Sequence, residues 1–145
     1  MKHQLELGVR TWLHMNRITH TVQRRLSAHL EHYDLTLAQF GVLAHLQAAP
    51  HISQQALANW LCVTKGNIVG LLNRLEDRGL VERRPDPQDG RTHLVSLTPQ
   101  GVALAARVVP EHEELVAACM ALIAPEEQRT LHQLVHTLDR ALGLI

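Results

Sequence analysis

The side chains best suited to recognition gather between Thr64 and Arg91, and they are donors rather than catalytic groups. Thr64, Lys65, Gly66 and Asn67 open a segment that continues through Gly70, Asn73 and Arg74. Interleaved with them, Ile68, Leu71, Leu72 and Leu75 recur at i, i+3, i+4 and i+7, the stripe of a helix with one buried face. A helix N-terminus presents unpaired N–H groups and the positive end of the helix dipole, so Thr64, Lys65 and Asn67 stand where phosphate is favoured. The same residue types hydrogen-bond base edges, asparagine to adenine and lysine to guanine. Gly66 and Gly70 on the exposed side cost about 1 kcal/mol each against alanine. Close approach of a DNA backbone or base edge would account for them, while the bland alternative is a solvated polar surface. Further on come Arg83 and Arg84, then the turn-forming run 85–90 and Arg91. Asp89, two residues before Arg91, is placed to pair with the guanidinium and hold it extended toward a narrow minor groove. Arg83 and Arg84 suit phosphates, or else protect a strand edge with charge.

Other candidate chemistry is thinner. Among eleven histidines, His132 and His136 are spaced i, i+4 and so share a helical face that can bind metal, and His29 and His32 are spaced i, i+3. A metal site needs three or four converging ligands, and no Cys/His cluster guarantees convergence, so solvated or interface histidines are the more economical account. Cys62 and Cys119 form no CxxC pair and are expected to be small buried hydrophobes. Phosphate-cradling glycine loops, nucleophile elbows and catalytic acid pairs are missing, so neither an enzyme nor a cofactor is expected.

The elements that must position the donors follow from pattern and punctuation. A chain of 145 residues, 46% hydrophobic and 3% aromatic, suits one mostly helical domain. Lysine plus arginine balance aspartate plus glutamate, so net charge says nothing for nucleic acid. Apolar runs are cut well short of a membrane span and no leader-like apolar core opens the chain, so a cytoplasmic location is expected. Leu5, Val9, Trp12, Leu13, Ile18, Val22, Leu26 and Leu30 predict a long first helix that needs a partner. Thr36 caps a second helix over 37–49, Ser53 a short third, and Thr64 the fourth, which Gly79 ends. Residues 80–84 and 92–97 predict a two-stranded hairpin with an extended tip. Thr98-Pro99 restarts a helix that Pro110 should kink or interrupt, and Pro125 starts a sixth carrying Leu131, Leu134, Val135, Leu138 and Leu142.

Helix, tight turn, helix and hairpin in this order make a winged helix-turn-helix. From Leu35 to Gly101 the chain closely resembles the MarR (multiple antibiotic resistance regulator) family, through LTLAQFGVLAHL, the RLEDRGLVERR run at 74–84, the Asp-x-Arg spacing of Asp89 and Arg91, and the LTPQG that restarts a helix. The resemblance implies a mainly α fold with a small two-stranded β wing, one domain over 1–145. Its DNA-binding lobe spans about 35–100, with dimerisation helices at about 1–34 and 101–145. It further implies a homodimer on double-stranded, pseudo-palindromic DNA, acting as a ligand-responsive repressor. Gly90 departs from the family, which often has a second arginine there, and this implies fewer phosphate contacts from the wing. Relatives commonly take a small effector, often an anionic aromatic, between the dimerisation helices and the DNA-binding lobe. Trp12, Asn16, Arg17 and His20 are candidates to line such a pocket, although core packing of Trp12 and solvation of Arg17 is the more economical account. Rival readings are a zinc-sensing repressor and a winged helix used only for protein contacts.

Overall fold

The computed structural model describes residues 2–143, with side chains from Glu6 onward; Leu5, first in the apolar repeat of the leading helix, lies outside the described side chains. The chain forms two compact units, one running through His112 and the other from Glu113.

Helix α1 (Lys2–Leu30) leads into a 3-10 turn at Glu31–Tyr33, closed by Asp34 in the left-handed region. Helix α2 (Leu37–Ala48) starts where the sequence provides a reciprocal cap. The Thr36 hydroxyl accepts the Gln39 N–H at 3.2 Å while the Gln39 side-chain oxygen accepts the Thr36 N–H at 2.9 Å. Helix α3 (Gln54–Trp60) is capped by Ser53, whose hydroxyl accepts the Ala56 N–H. Helix α4 (Lys65–Asp77) begins at Thr64 and ends at Gly79, whose φ of 67° is a conformation that costs glycine nothing. Gly79 N–H bonds the Glu76 carbonyl and Leu80 N–H the Leu75 carbonyl, which satisfies two of the orphan acceptors at the helix end.

Strands β2 (Val81–Pro85) and β3 (His93–Leu97) pair antiparallel, with Val81 opposite Leu97 and Arg83 opposite Val95. The expected two-stranded wing gains a third strand. The short β1 (Ile52–Ser53) pairs with the other edge of β3, giving the order β1-β3-β2. Two residues carry no readable alternation, and only pairing with β3 makes them a strand. The core beneath draws Leu30 from α1, Leu43 from α2, Leu57 from α3, Leu72 and Leu75 from α4, and Val95 from β3, all fully buried.

Helix α5 (Pro99–Met120) starts at Thr98, whose hydroxyl donates to the Gly79 carbonyl and accepts the Gly101 N–H. Here the backbones come close. A Cβ on Gly101 would sit 1.9 Å from the Leu80 carbonyl oxygen, so only glycine fits where α5 abuts the strand entrance. The expected interruption at Pro110 does not occur, because α5 runs through it as one element. The proline still forgoes the hydrogen bond its missing N–H would have made one turn back. In the second unit, α6 (Pro125–Ala141) starts with Glu127 accepting the Ala124 N–H at 2.8 Å.

Candidate nucleic-acid interface

The N-terminal end of α4 stands open. Thr64 Oγ1 accepts the Asn67 N–H at 3.2 Å, and Thr64, Lys65, Gly66 and Asn67 are all exposed, whereas Ile68, Leu72 and Leu75 face the core. A Cβ added at Gly66 or Gly70 would meet nothing within 4 Å, so nothing within the chain itself calls for glycine at either place. Before this helix the turn carries Cys62 at φ 54° and exposed, against the expectation of a buried small hydrophobe. The turn must reverse within three residues, which lifts that side chain out of the core; Cys119 is half-buried.

At the wing tip, Asp89 does not grip the Arg91 guanidinium as its spacing suggests. One carboxylate oxygen accepts the Arg91 backbone N–H at 3.1 Å, and the other accepts the Thr92 hydroxyl at 2.9 Å. Aspartate therefore shapes the loop, and Arg91 is exposed on it. Gln88 N–H to Asp86 Oδ1 and Asp86 N–H to the Thr92 carbonyl close the rest of the tip.

Arg83 is turned inward rather than offered to phosphate. Its guanidinium pairs with Glu76, donates to Asn73 Oδ1 at 2.6 Å and reaches Gln54 Oε1 at 3.4 Å, so one side chain ties β2 to α4 and the start of α3. That hydrogen bond holds the Glu76 carboxyl below the usual carboxylate range, against an opposing effect of burial. Reciprocally, Glu76 raises Arg83 above its ordinary value. Asn73 is exposed with its carbonyl oxygen already engaged, leaving its amide N–H groups outward. Arg74 is exposed, and exposed Arg84 pairs with its neighbour Glu82 at 3.0 Å.

A shallow cleft of about 230 Å³ joins the parts. Lys65 and Ile68 of α4 meet Arg91 and Thr92 of the wing there, together with Gln54, Gln55 and His93. The last three were not singled out from sequence. Gln54 and Gln55 directly follow the Ser53 cap, so their place in the first turn of the helix before the recognition helix was the available signal.

Helix, turn, helix and hairpin with donors along the exposed side of the second helix define a winged helix-turn-helix DNA-binding protein class. Comparison with known proteins narrows it. Residues 33–92 match the MarR family. The chain is 34% identical over 130 residues to an uncharacterized HTH-type transcriptional regulator of Bacillus cereus, covering 89% of this chain and 86% of that protein. It is 30% identical over 131 residues to the transcriptional regulator HosA of Escherichia coli, covering 87% and 97%. The S. aureus MepR–DNA complex superposes with a TM-score of 0.83 at 24% identity, covering 92% of this chain and 97% of MepR, a likeness of fold. The chain belongs to the MarR family and is a transcriptional regulator.

The expected effector-lining residues lie open in the single chain. Trp12 is 59% exposed, so it is not core; Arg17 and His20 are exposed and Asn16 half-buried. His132 and His136 stand with ring centroids 6.1 Å apart, and among the described residues no three metal-binding side chains converge. No described helix is long and apolar enough to cross a membrane.

Proposed function

We propose that the protein is a homodimeric, ligand-responsive repressor that binds a pseudo-palindromic operator in the cytoplasm. The observation that carries the reading is the cleft shared by Lys65 of α4 and Arg91 of the wing. A recognition helix entering a major groove about 12 Å wide would set Thr64, Lys65, Gly66, Asn67, Gly70, Asn73 and Arg74 toward bases and backbone. The wing would carry Arg91 toward the neighbouring minor groove, with Asp89 shaping the loop and Arg84 near phosphate. Arg83 acts on this surface indirectly, by fastening the wing to α4.

Dimerisation is supported by apolar residues with nowhere to go in one chain. Leu7, Val9, Trp12, Leu13 and Ile18 of α1 are exposed, and so are Leu131, Leu134, Val135, Leu138 and Leu142 in and just after α6. A two-fold interface covers such stripes and also sets two recognition helices on two half-sites. Small-molecule release then requires that the effector bind the DNA-free arrangement more tightly than the DNA-bound one.

The direct test titrates purified protein against its own upstream DNA and random duplex of equal length over a salt series. Specific binding whose logarithm falls linearly with log salt supports the reading, and equal affinity for both duplexes sinks autoregulation. Total absence of DNA binding would favour a winged helix used for protein contacts.

A further inference from the structure

Gly66, Gly70 and Asn73 fall at i, i+4 and i+7, a single line along the side of α4 opposite its buried stripe. Of the three only Asn73 carries a side chain, and a Cβ at either glycine would stand in open space. The glycines lower the helix surface along that line, so a groove floor can come near enough for a side chain as short as asparagine to meet a base edge. What Asn73 can exchange with that edge is limited by Arg83.

The Arg83 guanidinium is held by Glu76 and by Gln54 Oε1 at 3.4 Å, and the nitrogen Nη2 that meets Glu76 also donates to Asn73 Oδ1 at 2.6 Å. A guanidinium has donors only, so the amide must turn its oxygen to Arg83 and leave its NH2 facing out. An unconstrained asparagine reads adenine with both ends, its oxygen accepting from N6 and its NH2 donating to N7. Asn73 has given up the accepting half of that pair. Its NH2 still suits an edge made of acceptors, and guanine offers two neighbouring ones, N7 and O6. Adenine in the same place would set its N6 amino group against the NH2, donor facing donor, and leave it without an acceptor.

We propose that Asn73 is a donor-only base reader, set by Arg83 to take guanine over adenine at a position in each operator half-site. The assignment rests on the regulator reading and adds to it the base that this part of α4 selects. Arg83 is a positioning residue in it: it touches no base, and it decides which atoms of Asn73 a base can meet. If Asn73 were only a strut between helix and wing, its oxygen alone would matter, and aspartate would serve Arg83 at least as well.

The test is selection of bound sequences from a random duplex library by the full-length protein, compared for wild type, Asn73→Asp and Arg83→Met. Asn73→Asp keeps an oxygen for Arg83 and removes the NH2 alone. The expected result is a position in each half-site where wild type takes guanine over adenine about tenfold, the discrimination of a modest base contact. Asn73→Asp should lose that preference and keep the rest of the site. Arg83→Met frees the oxygen and should move the same position toward adenine, with thermal unfolding to establish that the variant is folded; if it is not, wild type and Asn73→Asp still decide. Adenine at the Asn73-dependent position, a selected site identical in Asn73→Asp, or a folded Arg83→Met that still takes guanine tenfold would each overturn the assignment and leave the regulator reading standing. A library recovered with no preference at any position would overturn the regulator reading, and the assignment with it.

Discussion

Glu76 and Arg83 show how single residues here serve the site at one remove. Because the folded carboxyl of Glu76 lies below its unfolded value, its contribution to stability is fully present above the ordinary carboxylate range and is lost as pH falls through the folded value. Glu76→Gln should therefore destabilise the protein at neutral pH by about 1 kcal/mol, the low end for a charged hydrogen bond with both partners partly in water. The gap from wild type should close on acidification; a gap independent of pH in urea unfolding would refute the assignment. Arg91→Ala should weaken DNA binding and lower the salt slope by about one while leaving the dimer intact, and unchanged affinity would remove the wing from the mechanism. Residue types and their order were readable from the chain, but partners were not. Arg83 next to Arg84 looks like a pair of phosphate ligands, and only the fold brings Glu76 and Asn73 within reach of the first, while the second pairs with Glu82 two residues before it. Asp89 and Arg91 are likewise close in sequence, yet the loop's own N–H and hydroxyl donors reach the carboxylate first.

Elements were more legible than side-chain partners because their ends are marked locally. Thr36, Ser53 and Thr64 each cap the helix that follows, and Gly79 closes α4. Two features escaped for opposite reasons. Strand β1 exists only through its long-range pairing with β3, and Pro110 sits in a helix that its neighbours continue across it. The glycines separate by what surrounds them. Gly101→Ala forces a Cβ onto the Leu80 carbonyl and should cost several kcal/mol, of order 3, or prevent folding, read by thermal unfolding. Gly70→Ala adds a Cβ in open space and should stabilise α4 by about 1 kcal/mol while weakening operator binding. A variant that is both more stable and equally tight on DNA would show that the helix does not need its small residue for close approach.

For the molecule as a whole, apolar periodicity told which residues share a face but not which chain covers it. The apolar stripe of α1 reads from sequence as a face that needs a partner, with Trp12 alone weighed as core, and in one chain Trp12 of α1 and Leu134 of α6 remain 59% and 65% exposed. Replacing Leu134 and Leu138 together by glutamate should therefore produce folded monomers that no longer bind DNA specifically, since each leucine buried at an interface contributes about 1.5–3 kcal/mol. Analytical ultracentrifugation would show this, and a persistent dimer would place the interface elsewhere. The Arg83 tie between wing and recognition helix has a kinetic corollary. A hairpin left loose would lose about 1–2 kcal/mol of conformational entropy per residue on being ordered by DNA, whereas this one is ordered before DNA arrives. Association then waits on orientation rather than on loop settling, so operator variants should bind at similar rates and differ mainly in how long the complex lasts.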